Sequence, residues 1–367
     1  MRLHTRVAGV RPEAQKVVLA SGENIPFDFL VMATGAAPRL PNVPGLDNEG
    51  IFTLRNLADA FRIKRFIHER RARRAVAVGA GFVSLEMCEA FRGLGLETTV
   101  LESEARPVMR LPEDFSAKIV EELQANGVSF MSRVKVEGFD RSPGGIVIRT
   151  GNGTLEADLV LIAIGVVPEV KLAAEAGIAL GRTGAIAVND HQQTNVSFAY
   201  AAGDCCEAYH RVSRTQVYIP LGDTANKQGR VAGANIGGQD VTFPGILGSQ
   251  CFKVFGLEVA STGLNEEEAR KAGLAAASAT IQGVSRAHSY PGTKRLWLRL
   301  VADNESGRFL GAQAVGGEGV VARINILAGA LAGGLSLEEV AYLDLAYAPP
   351  FSGSWDPIHI AAQQLLK

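Results

Sequence analysis

This 367-residue sequence has no long hydrophobic run, few cysteines and little net charge, and each of these features excludes a class of protein. The longest apolar run, from Leu159 to Val167, is interrupted by Gly165 and stops at Pro168, well short of the about 20 residues that a membrane-spanning helix needs. A formal net charge of -1 argues against a nucleic-acid partner and against an anionic membrane surface. The N-terminus has no apolar signal segment, so a cytoplasmic protein is expected.

Only four cysteines occur, and no two of them form a CxxC pair. Cys88 falls in an apolar-periodic stretch and is expected in a hydrophobic core. Cys205 and Cys206 are adjacent, and adjacent cysteines seldom close a disulfide without strain, so both are interpreted as core residues. The six histidines lack the spacing of metal ligands, and no metal site is expected.

The sequence is otherwise that of an ordinary globular protein, with 47% apolar and 20% charged residues and a length that predicts two or three domains. The hydrophobic pattern predicts helices over 51–67, 113–126 and 223–236, and long strands over 128–139 and 155–164. Beyond residue 240 the pattern changes to antiparallel strands and two helices. One of these, Val320 to Leu331, is apolar around much of its circumference, which favours burial or a subunit interface.

The most informative stretch is 75–102, AVAVGAGFVSLEMCEAFRGLGLETTVLE, which reads as strand, glycine turn, helix, strand and acid. Gly79 makes the tight turn, and Gly81 lets backbone N–H groups approach a pyrophosphate at the positive end of the helix. Ser84 replaces the third glycine of GxGxxG and is still small enough for close packing. Glu102 stands where a carboxylate binds ribose hydroxyls. The stretch therefore predicts a unit that binds a dinucleotide.

Five motifs in combination resemble the pyridine nucleotide-disulfide oxidoreductases, flavoproteins that bind two dinucleotides, and within them the coenzyme A-disulfide reductase and NADH oxidase branch. They are Ala33-Thr34-Gly35, GAGFVSLE at 79–86, Ala202-Gly203-Asp204, PLGDTANKQGR at 220–230 and AYAPPFSGSWDP at 346–357. The resemblance implies an α/β, Rossmann-like flavoprotein whose first Rossmann unit is truncated, followed by a C-terminal α+β dimerisation domain. The implied domains are a flavin-binding remnant (1–54 and 171–239), an NAD(H) domain (55–170) and a dimerisation domain (240–367).

The resemblance also assigns roles to single residues. Ala33 to Ala36 matches the turn against the flavin nucleotide, Asp204 the acid that binds the ribityl chain, and the helix starting near Asp223 the one whose N-terminus faces the flavin ring. Phe82 stands where many relatives have a gating tyrosine. The implied catalytic residues are Glu86, near the nicotinamide, and Tyr290 and Tyr347, which reach the partner subunit's flavin and disulfide pocket. The predicted cofactor-binding residues are Gly79, Gly81, Phe82, Val83, Ser84, Glu102, Gly165, Ala33, Thr34, Gly35, Asp204, Leu221, Thr224 and Ala225.

The implied function is an enzyme that uses NADH and FAD to reduce a small-molecule disulfide, with a persulfide or dioxygen as alternative acceptors. Glu102 predicts NADH over NADPH, although nearby Arg106 could instead accept the 2′-phosphate. A homodimer through residues 240–367 is expected. A hypothesis of another class is a non-catalytic fragment that binds NADH and dimerises.

One departure from the family pattern has consequences for activity. The family's first glycine fingerprint and its redox-active cysteine belong to a region that would precede Met1. The 367-residue chain alone is therefore expected to be colourless, to turn over no NADH and to associate, while its NADH-binding unit stays folded. His359 does not match the family's catalytic histidine motif and is interpreted as structural.

Overall fold

Short strands and nine helices make up the protein, and the computed structural model describes residues 1–367. The strands are β1 (Val7–Arg11), β2 (Lys16–Leu19), β3 (Asn24–Pro26), β4 (Leu30–Met32), β5 (Ala36–Pro38), β6 (Ile51–Phe52), β7 (Arg74–Val78), β8 (Glu97–Leu101), β9 (Val128–Met131), β10 (Val136–Ser142), β11 (Gly145–Thr150), β12 (Gly153–Ala157), β13 (Leu159–Ile162), β14 (Val166–Pro168), β15 (Ala199–Ala201), β16 (Ala208–His210), β17 (Thr215–Val217), β18 (Gln250–Val254), β19 (Leu257–Gly263), β20 (Ala276–Val284), β21 (Arg295–Asp303) and β22 (Phe309–Gly316). The helices are α1 (Leu57–Arg70), α2 (Phe82–Gly93), α3 (Glu113–Ala125), α4 (Lys171–Glu175), α5 (Gly222–Ile236), α6 (Glu266–Lys271), α7 (Val320–Gly333), α8 (Leu337–Ala341) and α9 (Pro357–Leu365). None of these helices combines the length and the apolar composition needed to cross a bilayer.

The chain divides into two units, which are described separately. The first unit consists of residues 1–37 and 166–248, and the second of residues 38–165 and 249–367. The second unit thus takes in both the predicted nucleotide-binding stretch and most of the predicted dimerisation domain. The finer domain boundaries at 54, 170 and 239 stay predictions.

The second unit contains a five-stranded parallel sheet with the strand order β6-β13-β7-β8-β9. The two central strands read RAVAV and LVLI, and nearly all of their residues are buried, as expected for strands that are covered on both faces. Leu85 of α2 and Phe115 of α3 join one apolar core, and Ile63 of α1 joins another. Because the strands are parallel, their carboxyl ends lie at one edge of the sheet, where ligands of such sheets bind.

The predicted helix over 51–67 is wrong in its first third. Ile51 and Phe52 instead form β6, which pairs in parallel with β13. The helix begins only after Asn56, whose side chain accepts a hydrogen bond from the backbone N–H of Asp59, while the Asp59 carboxylate accepts one from the backbone N–H of Asn56. This capping box fixes the start of α1, and the apolar spacing alone did not reveal it.

Two predicted strands each turn out to be two strands that belong to different sheets. The stretch 128–139 breaks near Arg133, which has a φ of 56°, so that β9 ends the parallel sheet and β10 opens a separate antiparallel sheet of β10, β11 and β12. The stretch 155–164 breaks at Asp158, between β12 and β13. An apolar run shows burial, but it does not show which sheet the strand joins.

Residues 249–367 of the second unit form a five-stranded antiparallel sheet, ordered β18-β19-β22-β21-β20, with helices packed on it. The sequence predicted two helices here, whereas the structure has four, and α6 and α8 are too short to show a clear period. Val320, Ile324 and Leu327 of α7 are buried, while Ile326 is 36% exposed. The apolar helix is therefore buried along one face.

The first unit is made of small sheets. β1, β2 and β3 form an antiparallel sheet, and β16 pairs with β17. β4 and β15 form a parallel pair in which Met32 is opposite Ala201. This pair has no third strand, and Phe29 and Val31 are 50% and 42% exposed beside it. The core of this unit gathers Met32, Ile186, Cys205 and their apolar neighbours.

Candidate functional site

The turn after β7 has a geometry that only glycine accepts. Gly79 has a φ of 95°, and a Cβ at this position would lie 2.6 Å from the backbone oxygen of Ala163, in the segment that follows β13. Gly81 is the N-cap of α2, has no side chain to cap the helix and has open space where a Cβ would stand. The first N–H groups of α2 therefore remain available to an anion such as a pyrophosphate.

The carboxylate of Glu102 lies beside this turn. Its Oε2 accepts a hydrogen bond from the backbone N–H of Ala80 at 2.7 Å, and its Oε1 accepts one from the backbone N–H of Glu104 at 2.9 Å. The Ser103 hydroxyl also donates to Oε1 at 3.1 Å, so three of the about four acceptor positions of this carboxylate are used and one is left for a ribose hydroxyl. The structure thus places the predicted acid at the carboxyl end of β8, next to the glycine turn.

Other predicted nucleotide contacts surround the start of α2. Phe82 is 45% exposed, with its ring centroid 6.4 Å from that of Phe252. Val83 is half-buried, and Gly165, with a φ of 103°, lies exposed just beyond β13. Ser84 is fully buried, and its Oγ has no hydrogen-bond partner. Ser84 therefore serves close packing at the position of the third glycine, at the cost of an unsatisfied hydroxyl.

Glu86 lies one turn further along α2 and is exposed at its surface. Partial burial of the carboxyl raises the pKa of Glu86, a hydrogen bond from the backbone of Lys253 opposes the shift, and the charge of Glu89 adds to it. Glu86 consequently accepts a proton more readily than an ordinary glutamate does. Arg106, the residue that could favour NADPH, instead donates from Nη2 to the backbone oxygens of Met109 at 3.3 Å and Leu111 at 3.4 Å.

In the first unit, the predicted flavin contacts lie on two turns at one edge of the β4–β15 pair. Ala33 and Thr34 follow β4, are exposed, and lead into Gly35, which has a φ of 73°. The Thr34 hydroxyl donates to the backbone oxygen of Glu169 at 2.5 Å. The backbone N–H of Ala202 donates to the Met32 oxygen at 3.0 Å, so the turn after β15 leaves the sheet beside the turn after β4.

The second of these turns contains Gly203 and Asp204, and two side chains hold it. Gln228 Oε1 accepts from the Gly203 N–H at 3.0 Å, and the Tyr218 hydroxyl donates to the Asp204 backbone oxygen at 3.0 Å. Gln228 is only 1% exposed and its Nε2 also donates to the Glu207 backbone oxygen at 3.2 Å. The motifs of the sequence do not indicate this role of Gln228. Its position one turn after Thr224, on the face of α5 that is buried, is the signal that could have indicated it.

The N-terminus of α5 adjoins the same turn. Leu221 is the N-cap and makes no side-chain hydrogen bond to the helix, so the first N–H groups of α5 lack a side-chain cap. Thr224 is buried, and a Cβ at Gly203 would lie 3.5 Å from the Cβ of Ala225. Two small-residue turns and an uncapped helix N-terminus therefore converge within the first unit.

The two predicted catalytic tyrosines lie on loops of the second unit that are joined by a hydrogen bond. Tyr347 is 53% exposed and Tyr290 is half-buried, with the Arg286 guanidinium 5.8 Å from the centroid of its ring. The backbone N–H of Ala287 donates to the backbone oxygen of Pro349 at 3.0 Å. The structure therefore brings the two tyrosine-bearing loops together.

A buried ion pair, which no sequence motif predicts, anchors both loops. Arg323 Nη2 lies 2.8 Å from Asp356 Oδ2, and both side chains are more than nine-tenths buried. Arg323 also donates to the backbone oxygen of Ser285, and Asp356 accepts from the Ser352 hydroxyl at 2.8 Å. His359 completes the capping box of α9, and its Nε2 lies 2.8 Å from the backbone oxygen of Leu343. The role of His359 is therefore structural.

The cysteines Cys88, Cys205 and Cys206 are buried, Cys251 is exposed, and none forms a disulfide. Burial raises the pKa of Cys88 to about 12, and Cys206 Sγ donates to the backbone oxygen of Gly203 at 3.1 Å. A thiol with a raised pKa stays protonated and reacts slowly. Cys88, Cys205 and Cys206 all belong to buried apolar clusters and are therefore core residues, as the sequence predicts.

Both cofactor sites can be tested against the residues present. The glycine-only turn, the uncapped start of α2 and Glu102 fit a nicotinamide dinucleotide, and the convergent turns of the first unit with the start of α5 fit the ribityl and ring half of a flavin. Comparison with known proteins agrees. Residues 1–229 match the family model described as pyridine nucleotide-disulphide oxidoreductase, and residues 249–357 match the model of its dimerisation domain.

The chain belongs to the pyridine nucleotide-disulphide oxidoreductases. This family is FAD-dependent and uses NAD(P)H. The family match confirms the expected α/β fold, the family and the oxidoreductase class.

Relatives within the pyridine nucleotide-disulphide oxidoreductases cover nearly the whole chain. An NAD(P)H sulfur oxidoreductase (CoA-dependent) of Pyrococcus furiosus is 38% identical over 369 residues, which is 99% of this chain and 83% of the relative. A coenzyme A disulfide reductase of Staphylococcus aureus is 31% identical over 336 residues, 91% of this chain and 75% of the relative. The solved structure of an NAD-dependent persulfide reductase from A. fulgidus has a TM-score of 0.95 and 36% identity, and covers 99% of this chain and 68% of that one.

Proposed function

We propose that the protein uses NADH and FAD to reduce a small-molecule disulfide of the coenzyme A disulfide type. The observation that carries the use of a nicotinamide nucleotide is the turn at Gly79, which has room for no side chain, opens onto the uncapped N-terminus of α2 and is flanked by the Glu102 carboxylate. The similarity to a coenzyme A disulfide reductase supports the choice of acceptor. The reduction consumes one NADH and one proton and converts one disulfide into two thiols, a two-electron change. FAD, when bound, supplies the electron relay between nicotinamide and disulfide.

For the nicotinamide nucleotide, the proposed roles follow from position. Gly79 and Gly81 let the backbone N–H groups of α2 bind the pyrophosphate, and Glu102 accepts a hydrogen bond from a ribose hydroxyl. Glu102 and the exposed Glu104 also place two carboxylates where a 2′-phosphate would bring more negative charge, which supports NADH over NADPH. Phe82, Val83 and Gly165 line the approach, and Glu86, with its raised pKa, can hold a proton near the nicotinamide.

For the flavin, Thr34, Gly35 and Asp204 are proposed to contact the ribityl chain. Leu221, Thr224 and Ala225 present the N-terminus of α5 to the ring. A helix N-terminus carries a partial positive charge and therefore stabilises an electron-rich, reduced ring. Thr34 and Asp204 also receive support from the rest of the unit, through Glu169 and Tyr218 respectively.

A homodimer through residues 240–367 completes the proposal. The match to the family's dimerisation domain supports dimerisation, and the exposed aromatic residues Tyr342, Tyr347, Phe351 and Trp355 give an interface its usual composition. Tyr290 and Tyr347 would then act in the partner subunit's active site, on loops that the Arg323–Asp356 pair holds in place.

The choice of acceptor is a second question, because persulfide and dioxygen remain alternatives to the disulfide. The test is NADH consumption by the protein in the presence of added FAD, with coenzyme A disulfide, with coenzyme A persulfide and with dioxygen alone. The proposal expects the largest kcat/KM with the disulfide and formation of two thiols per NADH. NADH consumption that depends only on dioxygen would favour an NADH oxidase. Binding of NADH with no flavin and no turnover with any acceptor would favour the non-catalytic alternative.

A further inference from the structure

An open cavity of about 480 Å³ in the second unit has four arginines in its walls. They are Arg70 at the end of α1, Arg71 and Arg73 in the segment that leads into β7, and Arg141 in the β10–β11 hairpin. All four are exposed, so a ligand from solution can reach them. The volume lies within the usual range for small-molecule sites, about 300–1,000 Å³.

Glu49 is one of two acids in these walls, and two of the arginines share it. Its Oε1 accepts a hydrogen bond from Arg70 Nη2, and its Oε2 accepts one from Arg141 Nη2 at 3.2 Å. A guanidinium has five N–H donors, so both arginines keep donors for a ligand after they have bound Glu49. Because two positive charges meet one carboxylate, one positive charge remains uncompensated.

Asp158, the second acid, belongs to an ion-pair network of its own. Its Oδ1 lies 2.9 Å from Arg74 Nη2, and Arg74 Nη1 lies 2.7 Å from Glu156 Oε2, so this network has one negative charge in excess. The side chains of Arg71 and Arg73, in contrast, form no ion pair and no hydrogen bond within the protein. Their two charges, together with the one left by the first acid, give the cavity and its rim a positive excess of two.

The arginines come from different elements, which a simple helix-end effect does not explain. Cations near a helix C-terminus are stabilising, and this accounts for Arg70 and Arg71. It does not account for Arg73, which lies beyond the helix, or for Arg141, which lies in a hairpin. Arg71 moreover has a φ of 51°, a left-handed conformation that usually favours glycine at the end of a helix. Three elements therefore bring unpaired positive charge to one cavity.

A guanidinium group binds phosphate oxygens through two parallel N–H···O hydrogen bonds and stays charged at any physiological pH. We propose that this cavity binds a small polyphosphate anion, a di- or triphosphate group, whose oxygens accept hydrogen bonds from Arg71 and Arg73. The nicotinamide site is separate, because Arg73 precedes β7 and Gly79 follows it, which places them at opposite ends of the strand, roughly 20 Å apart. The inference is independent of the proposed redox function.

The test is calorimetric titration of the full chain with tripolyphosphate, pyrophosphate and orthophosphate at a constant ionic strength of about 0.15 M. Saturable binding is expected, with tripolyphosphate at least about 10-fold tighter than orthophosphate, because a longer anion reaches more guanidinium groups. ATP carries the same triphosphate group. Tighter binding of ATP than of tripolyphosphate would support a nucleotide ligand, and weaker binding would support an inorganic one.

Arg71→Gln and Arg73→Gln each remove a guanidinium that has no partner in the protein, so folding should be unaffected. Each should weaken tripolyphosphate by about 5-fold, as expected for one exposed charge pair, and the double variant by about 25-fold. The matched control is Lys64→Gln, which removes an exposed charge of α1 outside the cavity walls. Lys64 precedes Arg71 by about 10 Å along the helix axis, beyond the Debye length of about 8 Å, so its loss should change the affinity by less than about 2-fold.

Glu49→Gln tests the proposal in the opposite direction. It frees the guanidinium groups of Arg70 and Arg141, so tripolyphosphate should bind about 5-fold more tightly, a gain that poor folding could not produce. Absence of saturable binding by the wild type, or equal weakening by Lys64→Gln, would overturn the proposal. Binding that survives in the double variant and is displaced by NADH would belong to the turn at Gly79 and would overturn it too. Binding of a single-stranded oligonucleotide but not of tripolyphosphate would instead indicate a nucleic-acid surface.

Discussion

Both units place a small-residue turn beside a helix N-terminus, but the strands that surround the turn differ between the units. In the second unit, the glycine turn at Gly79 ends a central strand of a five-stranded parallel sheet. In the first unit, the turns at Gly35 and Gly203 end β4 and β15, which pair only with each other and leave Val31 exposed. A small-residue turn beside a helix N-terminus is a local feature, whereas its rigidity depends on the strands around it. We therefore expect the nicotinamide site to be formed by the chain alone, and the flavin-facing turns to be less stable.

The largest expected effect comes from removing the buried Arg323–Asp356 ion pair of the second unit. Arg323→Met leaves Asp356 buried without a cation, which should lower the free energy of unfolding by about 3–5 kcal/mol. Hydrogen exchange in peptides from 285–294 and 346–357, read beside a urea titration, measures the change. The control Arg270→Met removes an exposed pair with Glu266 and should cost about 0–1 kcal/mol. Equal losses in the two variants would contradict the anchoring role of Arg323.

The next largest effect concerns the affinity of the second unit for NADH. Glu102→Ala should weaken NADH by about 1.5–3 kcal/mol, roughly 10- to 100-fold, because the hydrogen bond to a ribose hydroxyl is lost. NADPH should lose less, since a repelling charge is removed at the same time. Titration of both nucleotides onto the variant and onto the control Glu97→Ala, an exposed acid at the other end of β8, decides the matter. A parallel loss for NADH and NADPH would remove Glu102 from nucleotide selection.

A substitution in the first unit tests whether the two units lose stability independently. Gln228→Met removes the acceptor of the Gly203 N–H and the donor to the Glu207 oxygen, which should cost about 1–3 kcal/mol. Faster hydrogen exchange is expected in peptides from 199–210 and not in peptides from 74–102. If exchange rises equally in both regions, the comparison between the units fails.

The smallest expected effect is a pH dependence of the stability of the second unit. Burial raises the pKa of Asp158, but hydrogen bonds from the Arg74 side chain and from the backbone N–H groups of Arg73 and Arg74 outweigh it and lower the pKa overall. The stabilisation is thus present above the unfolded pKa of about 3.9 and is lost as pH falls through the folded value. Asp158→Asn should cost about 1 kcal/mol at neutral pH, and the difference from wild type should shrink in acid. The exposed Asp140→Asn serves as control, and a difference that grows in acid would contradict the assignment.

The sequence predicted the nucleotide-binding stretch well because its signals are local. The run before Gly79, the helical spacing after Gly81 and the position of Glu102 lie within 28 consecutive residues, and the structure forms them as β7, α2 and β8. The start of α1 was missed because a capping box at Asn56, and not the apolar spacing, sets it.

Contacts between distant residues could not be predicted in this way. Arg323 and Asp356 are 33 residues apart, and nothing in either local pattern shows that they pair. Gly203 and Gln228 are likewise 25 residues apart, and their hydrogen bond depends on how the first unit folds. Local patterns therefore fix turns and helices, while buried polar pairs and cavities follow from packing, which a single sequence does not display.

The most direct test of the account is calorimetric titration of NADH onto the 367-residue chain without added FAD. The account predicts saturable binding of one NADH per chain, because the second unit contains the complete turn, helix and acid. Gly79→Ala should lose this binding, since a Cβ would lie 2.6 Å from the Ala163 oxygen, whereas Gly93→Ala, with open space at the end of α2, should keep it. Absence of NADH binding in the wild type, or equal binding by the two variants, would contradict the claim that this unit forms the nicotinamide site.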